Sequence, residues 1–231
     1  MMYIMIDAIS GKEGANSMRN LEKDELEMAS RREAMLSEGF RLFSEKGIEA
    51  VSMQEVAAAC GVGIATLYRY FNTKFALVLA ISVRQWADYE KHVREMREKR
   101  RANDMPASEE LSFYLDFYID LYKNHKDILR FNQDFNNFVR HERATPEQLR
   151  PYVESIDIFA RMVNEVYNKG KEDGTIRTDL PKEKMFASTS HIMLAVVVRY
   201  AQGLLFSGSE VDMSEEVLMT KRMILREFVV S

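Results

Sequence analysis

Between Val51 and Lys74 the chain reads VSMQEVAAACGVGIATLYRYFNTK, and few backbone paths suit that stretch. Ser52 and Glu55 stand at the spacing of a capping box, in which each side chain satisfies an orphan backbone donor of the other residue, so a short helix is expected over Met53–Ala59. Gly61 ends it, a second short helix is expected over Ile64–Phe71, and Asn72-Thr73 open a third from Lys74 to about Arg101. Two helices of about two turns around a tight glycine turn have the layout of a helix-turn-helix. Val56, Ala57, Val62, Leu67 and Phe71 can pack the pair together, which turns Thr66, Tyr68, Arg69 and Tyr70 outward. Thr can reach base edges or a thymine methyl, and Tyr hydroxyls and Arg can bond phosphate oxygens, so this face suits a DNA groove. An ordinary amphipathic helix with surface tyrosines is the alternative, and it leaves the spacing unexplained.

The rest of the chain is expected to be all-α. With only 4 Pro and 10 Gly in 231 residues, the long segments are dominated by unbranched helix formers. Residues 1–20 lack periodicity and are expected to be a disordered leader without a function of its own, with Met18 and Met28 as alternative starts. A helix from about Asp24 to Lys46 then offers Ala34, Met35, Phe40, Leu42 and Phe43 as its inner face, and Gly47 suits a left-handed cap. Further helices are expected over Ser108–Asn124, Lys126–His141, Pro146–Glu172, Pro181–Phe206 and Ser214–Val230, separated by Pro, Gly and capping residues. The expected domains are residues 1–20 as leader, 21–74 for DNA binding, and 75–231 for effector binding and dimerisation.

Several classes are disfavoured. One cysteine, Cys60, allows no intrachain disulfide and reads as a small buried apolar residue, which suits a reducing cytoplasm. No stretch approaches a membrane helix, so no membrane partner is expected. None of His92, His125, His141 and His191 stands at a recognisable metal spacing, and there is no phosphate loop, dinucleotide fingerprint or nucleophile elbow, so neither metal, cofactor nor enzymatic activity is expected. A net charge of −4 argues against coating nucleic acid by charge alone. Yet residues 28–74 carry six Lys or Arg against five acids, a small positive balance that neither flank shows. The charge run from Asp88 to Arg101 reads as a solvated helix face, with pairs such as Glu90 and Arg94.

The order of a helix ending near glycine, a capped short helix, Gly-Val, then T-L-Y-x-Y-F and a nearby Lys resembles the TetR family of bacterial repressors. The matching residues are Phe43, Gly47, Ser52, Val56, Ala57, Gly61, Val62, Thr66, Leu67, Tyr68, Tyr70, Phe71 and Lys74. The resemblance implies that Ser52 and Gln54 touch backbone or base, that Gly63, Ala65 and Thr66 approach base edges, and that Tyr68, Tyr70 and Lys74 grip phosphates. Family members often have Ser-Lys-Gly where this chain has Gly63-Ile64-Ala65. A common phosphate-binding lysine is therefore missing, and Ile64 is placed to meet a thymine methyl. Residues Gly170–Asp179 (GKEDGTIRTD) look like the helix connection used by the C-terminal domains of this family.

In that C-terminal part the rings Phe113, Tyr114, Phe117, Tyr118 and Tyr122, with Phe131, Phe135 and Phe138, exceed what one stripe needs. Two readings stay open: a plain core, or a cavity for a small hydrophobic or aromatic effector. The residues expected around such a cavity are Trp86, Tyr89, Phe113, Phe117, Tyr118, Phe131, Phe135, Met162 and Tyr167, with Asn132, Gln133, Asn136 and Asn137 as polar candidates. The apolar surface of Met193, Leu194, Val197, Val198, Leu204, Leu205, Leu218, Ile224, Leu225 and Phe228 reads as a homodimer interface. Such a dimer sets two recognition helices on successive grooves of double-stranded operator DNA. The function expected is a homodimeric repressor released from a palindromic operator by a small molecule. A regulator that activates or needs no effector, and a helical scaffold or enzyme with a vestigial DNA-binding domain, are the alternatives.

Overall fold

The structure, a computed structural model, describes the backbone of residues 7–203 and 212–230, with side chains from Lys23 onward except that of Phe186. Among the described residues it is all-α: α1 (Asp7–Lys46), α2 (Met53–Ala59), α3 (Ile64–Tyr70), α4 (Lys74–Arg100), α5 (Ala107–Asn124), α6 (Lys126–His141), α7 (Pro146–Asp173), α8 (Lys182–Phe186), α9 (Ile192–Ala201) and α10 (Ser214–Phe228).

Helix α1 begins at Asp7, not near Asp24, so most of the expected leader has helical backbone. Gly11 and Gly14 cost about 1 kcal/mol each against Ala, and Ala, Lys, Glu, Met, Arg and Leu around them favour helix. Every side chain from Lys23 to Ala34 is exposed, and the buried face begins at Met35, Leu36, Leu42 and Phe43. The helix stops at Gly47, whose φ of 88° few other residues adopt cheaply.

Two cores form. The first joins α1, α2, α3 and the first half of α4 through Phe43, Val56, Leu67, Leu77 and Ile81, and it also takes Phe131, Phe135 and Phe138 from α6. The second gathers the rest of α4 with α5, α7, α9 and α10. Helix α5 is buried over most of its circumference, leaving only a polar face with Glu109, Asp116 and Lys123 toward solvent, which is why its aromatic residues cover more than one stripe. Helix α4 runs through both cores, with Leu77, Val78 and Ile81 in one and Trp86, Tyr89 and Val93 in the other, over a length of about 40 Å.

Polar contacts fix the second core. Glu110, 2% exposed, is neutralised by Lys169 and by Arg97 Nη2 at 3.1 Å, tying α5 to α7 and α4. Helix α7 starts with a Thr145–Gln148 capping box and Pro146, and ends at Gly174 with φ 68°. The segment after it pairs with the end of α10: Arg177 N–H donates to the Phe228 carbonyl (2.7 Å) and Val230 N–H to that of Thr175 (3.0 Å). The single helix expected over Pro181–Phe206 is instead interrupted by a wide π turn at Ala187–His191, and α9 ends at Ala201.

Candidate nucleic-acid interface and ligand cavity

The α2–α3 unit is built as its caps dictate. The Glu55 N–H donates to Ser52 Oγ (3.2 Å) and the Ser52 N–H to Glu55 Oε2 (2.8 Å), and donation to that carboxylate from the Ser52 N–H and hydroxyl holds it below its ordinary range. Gly61, at φ 66°, reverses the chain, and the Val62 N–H reaches back to the Ala57 carbonyl at 3.0 Å. In α3 only Leu67 is buried; it packs with Val56, Ala57 and Phe71. Ser52, Gln54, Gly63, Ala65, Tyr68 and Arg69 are exposed, while Ile64, Thr66, Tyr70 and Lys74 are half-buried. Tyr68 keeps 47% of its surface in solvent, a large exposure for an aromatic ring on so short a helix. Lys74 Nζ lies 3.4 Å from the Glu49 carbonyl and 5.9 Å from the Phe138 ring centre, and the Arg69 guanidinium lies 6.0 Å from the Tyr70 ring.

A mostly apolar cavity of about 210 Å³ lies between α4, α5, α6, α7, the π turn and α9. Of the residues expected there, Trp86, Tyr118 and the polar candidate Asn132 line it. Tyr89 stands behind Trp86, edge-on at 6.2 Å, and stacks on Phe159 at 6.4 Å. Phe113 and Phe117 pack on each other at 5.0 Å in the second core, and Tyr167 donates its hydroxyl to the Thr178 and Leu180 carbonyls. Met162 borders a different, open cleft of about 720 Å³. That cleft is lined by Arg94, Arg97, Arg101 and Arg161 with Glu98, Asp104 and Glu165; Arg97 pairs with Glu165, Arg101 with Asp104, and Arg94 and Arg161 with Glu90. Phe131 and Phe135 lie in the first core, where Phe131 meets Phe40 at 5.5 Å and Phe135 meets Tyr152 at 4.7 Å.

Leu121, Tyr152, Ile156, Phe159, Ser190 and His191 also line the cavity, and so does Leu194 of the expected interface. Tyr152, Ile156 and Phe159 stand at helical i, i+4, i+7 spacing on α7, a signal present in the sequence. The π turn that supplies Ser190 has no such signature. Polar groups in the wall are organised: Tyr114 Oη lies 2.8 Å from Tyr118 Oη and 2.6 Å from Ser190 Oγ, and Tyr152 donates to Asn132 Oδ1 at 3.1 Å. Burial pushes the Tyr114 and Tyr118 hydroxyls up and raises Tyr152 to about 12.

Beside the cavity, His92 of α4, Asp120 of α5 and His125, between α5 and α6, converge, with one potential ligand atom from each inside 4.8 Å of the others. On the last helices, Met193, Val197, Ile224 and Phe228 are buried within the protomer, whereas Val198, Leu218 and Leu225 are half-buried. Leu204 and Leu205 lie outside the described residues. The large exposed apolar side chains on these helices are Ile192, Met219 and Met223. No helix among the described residues is long and apolar enough to cross a membrane.

Comparison with known proteins places the likeness where the short helices are. The family profile described as "Bacterial regulatory proteins, tetR family" matches residues 35–81. An HTH-type transcriptional regulator of Staphylococcus aureus strain MRSA252 is 29% identical over 134 residues, covering 58% of this chain and 69% of the relative. Among solved structures, a regulator from Saccharomonospora viridis in complex with choline shares the fold at TM-score 0.71 and 16% identity, over 88% of this chain and 100% of the other. FadR from Bacillus subtilis in complex with stearoyl-CoA does so at TM-score 0.63 and 12% identity, over 83% and 96%. The capped helix pair, the larger helical domain behind it and these likenesses agree: residues 35–81 are a helix-turn-helix domain of the TetR family, and the chain is similar to HTH-type transcriptional regulators.

Proposed function

We propose that this chain is a homodimeric repressor that leaves a two-fold symmetric operator when a small apolar or aromatic effector fills the cavity between α4, α6 and α7. One observation carries this reading: the helices lining the cavity also form the underside of the DNA-binding unit. Trp86 and Asn132 touch the cavity from α4 and α6, and the same helices contribute Leu77, Ile81, Phe131 and Phe135 to the first core. An effector that repositions either helix therefore moves α3. It can do so only by binding the two arrangements with different affinity.

Residues 21–74 form the DNA-binding domain in this reading, and 75–231 the effector and dimerisation domain. Ser52, Gln54, Tyr68, Arg69, Tyr70 and Lys74 address the phosphate backbone, while Gly63, Ile64, Ala65 and Thr66 approach base edges. One seven-residue helix reads too few base pairs for specificity, and a two-fold axis supplies the second copy. Ile192, Met219 and Met223, with half-buried Val198, Leu218 and Leu225, offer the apolar surface for that axis. The cavity decides the size of the effector. An apolar hole of about 150 Å³ takes benzene and drug-sized ligands need about 300–1,000 Å³, so 210 Å³ suits a single substituted ring or its aliphatic equivalent.

Small aromatic and apolar compounds that raise the melting temperature supply the test. In fluorescence anisotropy with labelled duplex from upstream of the gene, a true effector weakens duplex binding, and the duplex weakens effector binding by the same factor. Unchanged duplex affinity at saturating effector contradicts release.

A further inference from the structure

The meeting of His92, Asp120 and His125 has the chemistry and dimensions of a metal site. His92 Nε2 lies 3.2 Å from Asp120 Oδ2, and His125 Nε2 lies 3.6 Å from the same oxygen. Zinc holds nitrogen and oxygen ligands at about 2.0–2.2 Å, which puts neighbouring ligand atoms of a tetrahedron about 3.4 Å apart. The two separations straddle that value.

The hydrogen bonds point the same way. His92 Nε2 is sealed from solvent and has no hydrogen-bond partner, although a carboxylate oxygen stands 3.2 Å away. A buried ring nitrogen left so is costly as a hydrogen-bonding group, but it is what a lone pair directed at a cation requires. The carboxylate is held in place by its own partners: Asn124 Nδ2 donates to Asp120 Oδ1 at 2.8 Å, and the Tyr89 hydroxyl lies 3.2 Å from Oδ2 while donating to the Phe117 carbonyl at 2.7 Å. Such outer partners orient the ligands of protein metal sites. The His92 and His125 rings stand edge to face at 5.6 Å, each with a third or more of its side chain in solvent.

We propose that His92, Asp120 and His125 bind one divalent first-row transition metal ion per chain through two imidazole nitrogens and one carboxylate oxygen, with the remaining coordination left to water. That donor set suits Zn²⁺, Co²⁺, Ni²⁺ or Fe²⁺ and disfavours Mg²⁺ and Ca²⁺, which take oxygen ligands. The ion clamps the second half of α4 to the α5–α6 junction. This assignment is independent of the DNA-binding reading, because it is tested without DNA.

The test uses the full chain, freed of metal with chelator and titrated with Zn²⁺ against a chromophoric competitor, then with Co²⁺ followed by visible absorption. Wild type takes up one equivalent of either ion, melts at a higher temperature with Zn²⁺ and is indifferent to Mg²⁺. His125→Ala and Asp120→Asn bind Zn²⁺ at least about a hundredfold more weakly and lose the Co²⁺ bands. His141→Ala, an exposed histidine elsewhere, behaves as wild type. Where His125→Ala fails to fold, His92→Gln carries the comparison, and circular dichroism of the metal-free proteins confirms equal helix content. No stoichiometric Zn²⁺ or Co²⁺ uptake by wild type, or variants that bind as tightly as wild type, overturns the assignment.

Discussion

Leu67 and Tyr68 are neighbours on α3 with opposite surroundings, and replacing each by Ala separates folding from DNA contact. Leu67 is fully buried in the first core, so Leu67→Ala removes packed carbon atoms that the surrounding helices cannot fully replace, at about 2–5 kcal/mol. For a chain of this size that lowers the melting temperature by roughly 4–20 °C. Tyr68, half in solvent, anchors little of the core, so Tyr68→Ala changes stability by about 0.5 kcal/mol or less. If, as proposed, its hydroxyl bonds a phosphate, that bond contributes about 1.5–3 kcal/mol per protomer, and two copies in the proposed dimer make the loss at least about a hundredfold in duplex affinity. Because the lost group is neutral, the salt dependence keeps its slope. Lys74→Ala instead reduces the slope of log K against log salt by about 1 per protomer. The assay pairs thermal melting with anisotropy titration on a selected duplex at three salt concentrations. Should Tyr68→Ala melt like Leu67→Ala, or bind the duplex like wild type, the assignment of the outer face of α3 to DNA is wrong.

Other expectations follow from single contacts. A Cβ at Gly170 would sit 2.7 Å from Ile176 Cδ1 and closer still to its Cγ1, so Gly170→Ala costs about 1–3 kcal/mol, and pairing it with Ile176→Ala costs less than the two changes summed, as read by urea denaturation. Tyr152 titrates near 12 when folded against about 10 unfolded, so burial of its neutral form stabilises fully below pH 10 and that contribution fades as pH rises through 12. Tyr152→Phe therefore shows a shallower loss of stability between pH 9 and 11.5, while Tyr114 and Tyr118, also raised, keep part of the slope; an unchanged slope refutes the burial argument. Ser52→Ala costs about 1 kcal/mol and speeds hydrogen exchange at the Glu55 amide, whereas Ser52→Thr stays within a few tenths.

The helix-turn-helix was legible because its determinants are local. Ser52, Glu55 and Gly61 specify caps and a turn through bonds spanning three to five residues, and the structure builds them so. The all-α class followed from the scarcity of Pro and Gly. What escaped was set by tertiary placement. Nothing in the KDILRFNQDFNNFVRH run says which of its two buried faces meets which neighbour, and α6 turns Phe131, Phe135 and Phe138 under the DNA-binding unit while Asn132 lines the cavity. His92 and His125 are 33 residues apart in the chain, outside any motif spacing, and meet only because the fold brings α4 near the end of α5, where Tyr89 bonds the Phe117 carbonyl. The π turn at Ala187–His191, which carries Ser190 and His191 into the cavity wall, lies in a segment with no Gly or Pro to mark a break in the helix. The surface left to a partner likewise depends on which side of α9 and α10 faces inward, and Met193, Val197 and Phe228 spend their apolar area inside the protomer.

Selection of bound sequences from a random duplex pool tests the central claim most directly, since it needs no knowledge of operator or effector. The expected outcome is an enriched site with two-fold symmetry, its half-sites about 34–36 Å apart or a multiple of that, and loss of enrichment with Tyr68→Ala. A pool that stays random, or enrichment of single half-sites without symmetry, contradicts two copies of α3 reading one duplex.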